Sequence, residues 1–416
     1  MSLENGLSVV TIEDHRAPLI TIDIALPTGS SDDPAGHEGL AAATADLLQA
    51  GAAGLSSKEL AQQVEQLGGQ ISTATFSDYT EISISVLAEN GPRLLGIAAE
   101  ILLKPDFPED EVKLYKDNRV QTLAYQRQDP AFVAREYFNR ALYGTHPYAV
   151  SAPTDKSIGS LSREDIERFY KTNYYPEGSV IAMVGDFEPA MVENAARSEF
   201  GSWRNRTPAR INYPAPPTST GQRIYLIDRP GSEQADIQIG NLAARRGVAD
   251  FLPLAMANAI LGGGLTSRLF LNVREQKGYA YDVSSSLDAR IQHGTFYTST
   301  ETRNEVVVPA IREIIGEFER MRNTQVSAAD LRSAKNYVNG IFALSLSTQG
   351  GLADRIISTQ VFGLGADFIR TFRDRVSAVT AEQIQQAAQT YILPDRATIV
   401  VVGDAATLEK SLEALG

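Results

Sequence analysis

Polar and apolar positions alternate along the first part of the chain in a way that predicts strands interleaved with helices. Leu7 to Leu26 has the two-residue period of a strand pair, and Leu40 to Ala50 has the spacing of a helix. Ser56 followed three residues later by Glu59 matches a capping box, which predicts a second helix. Two more alternating segments are predicted strands: Gln70 to Phe76 and Thr80 to Leu87. The chain therefore begins as a mixed α/β domain.

The same kind of pattern continues through the rest of the first half. Helical spacing predicts helices from Pro92 to Leu103 and from Glu109 to about Arg127. Ser162 to Asp165 starts another helix with capping-box spacing, and Ser179 to Val184 has the apolar run of a buried strand. The proline-rich segment Arg204 to Thr220 then predicts an extended linker.

The second half of the chain repeats the first. Leu161–Pro176 aligns without a gap with Val379–Pro394, at an offset of 218 residues. Each copy has a hydroxyl N-cap with a polar third helical residue, and each leads into a strand that ends in Val-Gly-Asp. These caps and strand ends are Ser162, Thr380, Val184–Asp186 and Val402–Asp404. We interpret the chain as two copies of one domain.

The duplication sets the predicted fold class and domains. We expect an α+β protein of two homologous α/β domains, each a mostly antiparallel sheet with helices packed on one face, in a clam-like arrangement. The predicted boundaries are 1–203 for the N-terminal domain, 204–220 for the linker and 221–416 for the C-terminal domain. Two domains of about 200 residues each also agree with the usual size limit of a single core.

Composition narrows the classes of partner. A net charge of −13 argues against nucleic acid or an anionic membrane surface as the main partner. No run approaches the roughly 18 apolar residues of a membrane span, so we expect none. The absence of cysteine excludes disulfides, thiolate nucleophiles and cysteine-ligated metal sites.

The segment Ile260–Tyr281 carries the most informative chemistry. A glycine loop precedes a predicted helix whose last turn holds Arg274, and Gly278 is placed to cap that helix. Arg274 and Tyr281 together offer a guanidinium fork and a phenol hydroxyl that can hold a peptide carbonyl or carboxylate. A purely structural interpretation stays open, because consecutive glycines often end helices and a last-turn arginine interacts favourably with the helix dipole. The loop glycines are Gly262, Gly263 and Gly264.

Further motifs connect this segment to the rest of the chain. They are Gly36–Ala41 before the first helix, Gly68–Gly69, Tyr143–Tyr148, the two Gly-Asp strand ends, and Leu261–Phe270 with the Arg274 and Tyr281 pair. Taken together, they resemble the insulinase/pitrilysin family of zinc metallopeptidases, in its bacterial two-domain branch. The resemblance covers nearly the whole chain, and the segment around Arg274 is its most specific part.

Active members of that family carry an H-x-x-E-H zinc motif on the first helix and a further glutamate ligand 77 residues beyond the second histidine. Here the motif positions hold Ala42, Ala45 and Asp46, and Leu123 stands at the position of the glutamate. The four histidines are scattered and are predicted to be surface or turn residues. The resemblance therefore implies no catalytic zinc and no cofactor on this chain, which is not expected to be catalytic alone.

The resemblance also implies a function for the residues that are retained. In active members an arginine and a tyrosine seven residues apart bind the substrate backbone and stabilise the tetrahedral intermediate, and Arg274 and Tyr281 match that pair. We expect a non-catalytic subunit of a heterodimeric peptidase, which supplies both side chains to a homologous zinc-bearing partner for peptide hydrolysis. Ser72–Thr73 replace the Asn-Ala that the family favours beside the substrate's edge strand, which leaves strand addition there an open question.

Two other functions stay open at this point. One is a structural or peptide-binding pseudo-peptidase that resembles core subunits of respiratory complexes and has no role in catalysis. The other is an active zinc peptidase with displaced ligands. The resemblance implies a bacterial protein exported to the periplasm, with its signal peptide removed ahead of residue 1, or alternatively a cytoplasmic one.

Overall fold

The structure is a computed structural model that describes residues 1–205, 207–208 and 211–415. The described residues of the predicted linker, 204–220, form no helix or strand, and positions 206, 209 and 210 of that linker lie outside the described ranges. None of the described helices is long and apolar enough to cross a bilayer, in agreement with the expected absence of a span.

The strands and helices of the first half of the chain include the predicted ones in their predicted order, together with short strands and further helices that were not predicted. They are β1 (Ser8–Glu13), β2 (Leu19–Leu26), α1 (Leu40–Leu47), β3 (Gly51–Ala52), β4 (Leu55–Ser56), α2 (Ser57–Gln66), β5 (Gln70–Thr75), β6 (Thr80–Leu87), α3 (Gly91–Leu103), α4 (Glu109–Gln126), α5 (Pro130–Tyr143), α6 (Asp155–Ser160), α7 (Arg163–Asn173), β7 (Val180–Gly185) and α8 (Pro189–Phe200).

The strands and helices of the second half follow a similar order, but the described residues contain no counterpart of β3 and β4, and one helix is of unusual type. They are β8 (Arg223–Asp228), β9 (Gln234–Ala243), α9 (Phe251–Gly262), a π-helix (Phe270–Gln276), β10 (Ala280–Asp288), β11 (Gly294–Arg303), α10 (Val307–Asn323), α11 (Ala328–Ser345), α12 (Gln349–Val361), α13 (Phe368–Ala378), α14 (Ala381–Tyr391), β12 (Thr398–Gly403) and α15 (Ala405–Glu413).

The two five-stranded sheets confirm the duplication. The first sheet has the order β1-β7-β2-β6-β5, and the second has the equivalent order β8-β12-β9-β11-β10. In each sheet only the first listed pair is parallel and every other pair is antiparallel. The predicted fold class, two homologous α/β domains with mostly antiparallel sheets, is therefore correct.

The helix starts read from the sequence are present in both copies. The hydroxyl of Ser162 accepts a hydrogen bond from the amide of Asp165, and the carboxylate of Asp165 accepts one from the amide of Ser162. Thr380 and Gln383 form the same reciprocal pair at the start of α14. These boxes satisfy backbone donors that a helix leaves free at its N-terminus, which is why they mark the boundary so reliably.

The first sheet is covered on both faces. Ile20, Ile22 and Ile24 of β2 pack into a core that includes residues of α1 and α3. On the opposite face, Ala353 and Ile357 of α12 pack against small and branched residues of the sheet: Ala25, Val180, Ala182 and Val184. The expected layer of helices on one face is thus present, and the structure adds a helix on the other.

The second sheet is built in the same way. Its main core joins β9, α9 and α10, and the opposite face carries α5, whose Ala134 and Phe138 pack with Val400 and Val402 of β12. Thus α5, from the first half of the sequence, belongs to the second sheet, and α12, from the second half, belongs to the first. We call α5 and α12 the exchanged helices.

Packing therefore groups the chain differently from its two sequence copies. One compact unit comprises Met1–Leu123, Ala152–Asn212 and Ala343–Ile369, and the other comprises Ala124–Ser151, Tyr213–Phe342 and Arg370–Gly416. The boundaries predicted at 203 and 221 describe where the repeats meet in sequence, whereas each spatial unit is discontinuous because it includes an exchanged helix.

Candidate functional site

The glycine loop after α9 is shaped by a close approach to a neighbouring strand. A Cβ atom on Gly262 would lie 2.3 Å from the amide nitrogen of Ser285 in β10, so no larger residue fits there. The carbonyl of Gly263 accepts a hydrogen bond from the hydroxyl of Tyr337 in α11. A Cβ on Gly264 would meet nothing closer than 3.7 Å, so this third glycine is not required by space.

A cavity of about 300 Å³ opens beside this loop, within the second unit. Its walls are mainly apolar and include Ile260, Leu265, Leu271 and Tyr337. Arg268 lines it too, paired with Asp330 of α11 at 3.3 Å. The cavity can accept an apolar side chain next to a charged pair.

The helix that follows the loop is a π-helix rather than an α-helix, which the sequence pattern did not predict. Its wider turn is seen in the amide of Lys277, which donates to the carbonyl of Asn272 five residues back, at 3.0 Å. Gly278 has φ +64°, and its amide donates to the carbonyl of Arg274 at 3.0 Å. The predicted left-handed cap at Gly278 is confirmed.

The side chain of Asn272 fastens the π-helix to α10. Its amide group donates to the carboxylates of Glu313 at 3.0 Å and Glu317 at 2.8 Å, and Glu317 is almost fully buried. Because π-helices are rare and usually occur as short segments at functional sites, this anchored irregularity singles out the turn that carries Arg274.

Tyr281 lies on a second irregularity, a β-bulge at the start of β10. The register passes from Ala280 opposite Thr302 to Val283 opposite Thr300, so two residues of β10 face one of β11. The carbonyl of Asp282 accepts a hydrogen bond from Thr300 Oγ1 at 2.7 Å. A bulge of this kind redirects the side chain that it carries, and Tyr281 is 87% exposed.

These two irregularities bring Arg274 and Tyr281 together. The guanidinium carbon of Arg274 lies 4.5 Å from the centre of the Phe270 ring and 5.2 Å from that of Tyr281. Both distances are those of cation–π contacts, which hold the charged group between two rings while its N–H donors stay available. Arg274 Nε also lies 3.7 Å from the exposed carboxylate of Glu275, too far for a strong bond.

The zinc-motif positions lie in the first unit, in surroundings that differ from a metal site. Ala45 and Leu123 are completely buried and Ala42 is partly buried. Leu123, where the resemblance implies the glutamate ligand, belongs to the apolar core of that unit and is a packing residue. Only Asp46 retains a group that can bind a cation.

Asp46 is held by polar neighbours of its own. Its carboxylate accepts a hydrogen bond from Thr73 Oγ1 of β5 at 2.9 Å. The pKa of Asp46 is raised because surrounding protein weakens its hydration, and the Thr73 bond and the positive charge of Arg119 oppose that rise. Asp46 nevertheless keeps an exposed surface, so its carboxylate is accessible to water.

The position of Asp46 does not fit zinc. Structural and catalytic zinc sites need three or four ligating side chains, and one carboxylate with a threonine hydroxyl and a guanidinium does not supply them. Within the described ranges, the only cluster of three side chains spaced for a metal is Asp23, Glu81 and Asp354, which lies under α12. The loss of the zinc motif on this chain stays a prediction from the sequence.

The histidines do not repair the motif, since none of them belongs to that single described cluster. His15 is exposed, whereas His37 and His293 are half-buried. His146 is a turn residue as predicted, but it is only 1% exposed, and its Nδ1 accepts a hydrogen bond from the amide of Tyr148 at 3.1 Å.

Comparison with known proteins identifies the family of the chain. Residues 8–153 match the insulinase family (peptidase family M16), and residues 160–338 match the peptidase M16 inactive domain. The chain belongs to peptidase family M16.

Individual relatives cover almost the whole chain. A peptidase M16 inactive domain from Pseudomonas fluorescens superposes with a TM-score of 0.91 at 26% identity and covers 98% of each chain. A protease from Helicobacter pylori has the same fold, with a TM-score of 0.90 at 20% identity over 97% of this chain and 98% of that one. An uncharacterized zinc protease of Mycobacterium tuberculosis is 27% identical over 97% of this chain and 92% of its own length.

Proposed function

We propose that this chain is the non-catalytic subunit of a zinc metallopeptidase heterodimer, and that Arg274 and Tyr281 complete the active site of its partner. The observation that carries the proposal is the contact between the half-buried Arg274 and the exposed Tyr281, made on a π-helix and a β-bulge. Irregular backbone of both kinds is over-represented at functional sites, where it directs a side chain.

The chemistry of the pair suits a peptide substrate. The guanidinium of Arg274 offers several N–H donors in one plane, and it can hold a peptide carbonyl or a carboxylate by two hydrogen bonds. The hydroxyl of Tyr281 can donate a hydrogen bond to an oxygen on which negative charge develops. Neither group activates water, so the pair binds and stabilises but does not hydrolyse by itself.

The loss of zinc ligands explains why a partner is needed. With alanine, aspartate and a buried leucine at the motif positions, this chain provides no water-activating group next to a metal. We propose that zinc is bound only by the partner, a homologous subunit with an intact H-x-x-E-H motif. The family name of inactive domain is compatible with such a division of roles.

The test is to co-express this chain with the H-x-x-E-H homologue from the same genome and to measure cleavage of a quenched fluorescent peptide. Arg274→Ala is expected to lower kcat/KM by about 10² to 10³, the usual effect of removing one donor to a developing oxyanion. Tyr281→Phe, which removes only the hydroxyl, is expected to lower kcat more than it raises KM.

Arg312→Ala is the matched control, because Arg312 is an exposed arginine on α10 of the same unit. It is expected to leave cleavage unchanged. Full activity of the Arg274→Ala complex would contradict the proposal and favour a structural or peptide-binding role. Peptide cleavage by the isolated chain with stoichiometric zinc would contradict it in the other direction.

A further inference from the structure

Three carboxylates meet beneath the exchanged helix α12, in the first unit and outside the zinc-motif positions. They belong to Asp23 of β2, Glu81 of β6 and Asp354 of α12, and one oxygen of each lies within 4.8 Å of the others. Asp23 is only 2% exposed and Glu81 9%, while Asp354 retains contact with solvent. Acids this buried are uncommon without a cation beside them.

The alternation of the strands places the acids on this face. Ile22 and Ile24 point into the main core, so Asp23 between them faces α12, as does Ala25. In the register of the sheet, Ala25 lies opposite Glu81, which makes Asp23 and Glu81 diagonal neighbours across two strands.

Few groups offset the negative charge of this cluster. Ser83 Oγ donates a hydrogen bond to Glu81 at 3.0 Å, and the same hydroxyl lowers the pKa of Asp23. On α12 the only cation is Arg355, whose Nε donates to Ser345 Oγ at 3.0 Å and whose charge acts on Asp354.

The remaining neighbours add negative charge or none. Tyr79 and Asp78 lie just before β6, and the pKa of the Tyr79 phenol is raised by burial and by the carboxylates of Glu81 and Asp354. The adjacent strand β7 contains no ionisable residue. Among the described groups, Ser83 and Arg355 are thus the ones that oppose the charge of three ionised acids, and one hydroxyl with one guanidinium offsets it only in part.

As a consequence, the carboxyl groups of the cluster keep their protons to a higher pH than exposed acids do. Burial first, and then the charges of Glu81 and Asp354, raise the pKa of Asp23 to about 7. Burial likewise raises the pKa of Glu81 and of Asp354. Because the groups interact, the cluster titrates as a unit rather than as three separate acids.

We propose that this acidic cluster is a pH-sensitive contact that holds α12 on the first sheet while it carries protons and weakens that contact once it is ionised. The sign follows from linkage. Asp23 has a folded pKa of about 7 against an ordinary value of 3.8, so its stabilising contribution is complete below about pH 4 and is lost as the pH rises through 7.

The second sheet carries a related arrangement under the other exchanged helix. Asp236 of β9 lies directly opposite Glu301 of β11, and burial, Glu301 and Asp129, the N-cap of α5, raise its pKa to about 7. Arg229 opposes that shift, a compensating charge that Asp23 lacks. The duplication has therefore placed an acidic pair beneath each exchanged helix.

Hydrogen exchange of the full chain at pH 6 and pH 8, expressed as protection factors, tests the proposal. With a folded pKa of about 7, the opening equilibrium of α12 is expected to rise about tenfold between these pH values. Asp23→Asn removes the titrating group and keeps its shape, so the protection of α12 is expected to change less than about twofold.

Three further variants, measured in the same way, show whether the pH response of α12 comes from this cluster. Glu89→Gln, at an exposed acid of the same unit, and Asp236→Asn, in the other sheet, are each expected to leave the tenfold change in α12 intact. Glu81→Gln is expected to reduce it, and provides a second variant if Asp23→Asn does not fold.

Two outcomes would overturn the proposal. One is an α12 protection that changes equally with pH in wild type and in both cluster variants. The other is that calcium or magnesium chloride restores the protection of wild-type α12 at pH 8 relative to chelator, but has no effect on Asp23→Asn. The cluster would then be a cation site instead of a proton-sharing contact.

Discussion

At the residue scale, Asp46 stands where the resemblance implies a zinc ligand, and its carboxylate makes a contact within the first unit. Its hydrogen bond from Thr73 joins α1 to the edge strand β5. Ser72–Thr73 stand where the resemblance implies Asn-Ala, and the hydroxyl of Thr73 supplies a donor that an alanine lacks. Sequence comparison located both positions, but neither spacing nor periodicity indicated that they touch.

Thr73→Val removes that donor and keeps the shape of the side chain. The ionised form of Asp46 loses a favourable bond, so its pKa should rise further above its ordinary range. Because the pKa of this carboxyl is raised in the folded state, the protein loses stability as the pH increases. The variant, with a still higher pKa, should lose more. We expect the free energy of unfolding of the variant to be lower by about 1 kcal/mol at pH 8 and almost unchanged at pH 4. The value at pH 8 is that of a hydrogen bond to a charged group, reduced because Asp46 is exposed to solvent.

Urea unfolding at the two pH values measures this difference. Thr75→Val is the matched control, because Thr75 lies two residues further along β5 and its buried hydroxyl has no hydrogen-bond partner among the described residues. It should be neutral or stabilising at both pH values. An equal loss in both variants at both pH values would mean that valine simply packs poorly on this strand.

At the scale of elements, local signals predicted what local interactions determine. The capping boxes at Ser162 and Thr380 and the cap at Gly278 depend on a few neighbouring residues, and all three are present. The π-helix and the bulge were not predicted, because each is a one-residue change of register. Asn272, bonded to two acids of α10, and Thr302, paired with Ala280, fix those registers from distant parts of the chain.

Gly278→Ala tests whether the left-handed cap at Gly278 positions Arg274 next to Tyr281. At φ +64° an alanine is strained by about 1 to 2 kcal/mol, and relief of that strain would shift the end of the π-helix. We expect a loss of stability of about that size and, in the heterodimer assay, a fall in kcat/KM, as is expected for Arg274→Ala.

Gly340→Ala is the control for this substitution. Gly340 is an exposed glycine inside α11 with open space around its Cβ position, so alanine should stabilise the helix by about 0.5 to 1 kcal/mol. Thermal unfolding with the cleavage assay separates the two effects. If Gly278→Ala lost stability but cleaved peptide normally, the cap would be needed for folding and not for aiming Arg274.

At the scale of the whole molecule, the exchange of α5 and α12 is the feature that the sequence did not indicate. Both helices have ordinary apolar stripes, with Ala134 and Phe138 on one and Ala353 and Ile357 on the other. A stripe predicts that a helix packs against something apolar, but it does not say against which sheet. The duplication concealed the exchange further, since two similar sheets offer similar surfaces.

The exchange predicts that neither sequence copy folds well alone. A fragment of residues 1–203 lacks α12, so the apolar face around Ala25, Val180 and Val184 would be exposed to water. The same fragment keeps α5, which has its packing partners in the other unit. We expect fragments 1–203 and 221–416 to unfold without a cooperative transition when separate, and to recover one when they are co-expressed.

A fusion decides whether the missing helix is the cause. Joining residues 343–369 to fragment 1–203 through a flexible glycine–serine linker restores the segments of the first unit and should restore cooperative unfolding by circular dichroism and calorimetry. The same fusion with Ala353 and Ile357 both changed to aspartate should not, because charged residues cannot enter the contact with the sheet. Cooperative unfolding of fragment 1–203 by itself would contradict this prediction. It would show that the first sheet is stable without its exchanged helix and that the sequence copy folds on its own.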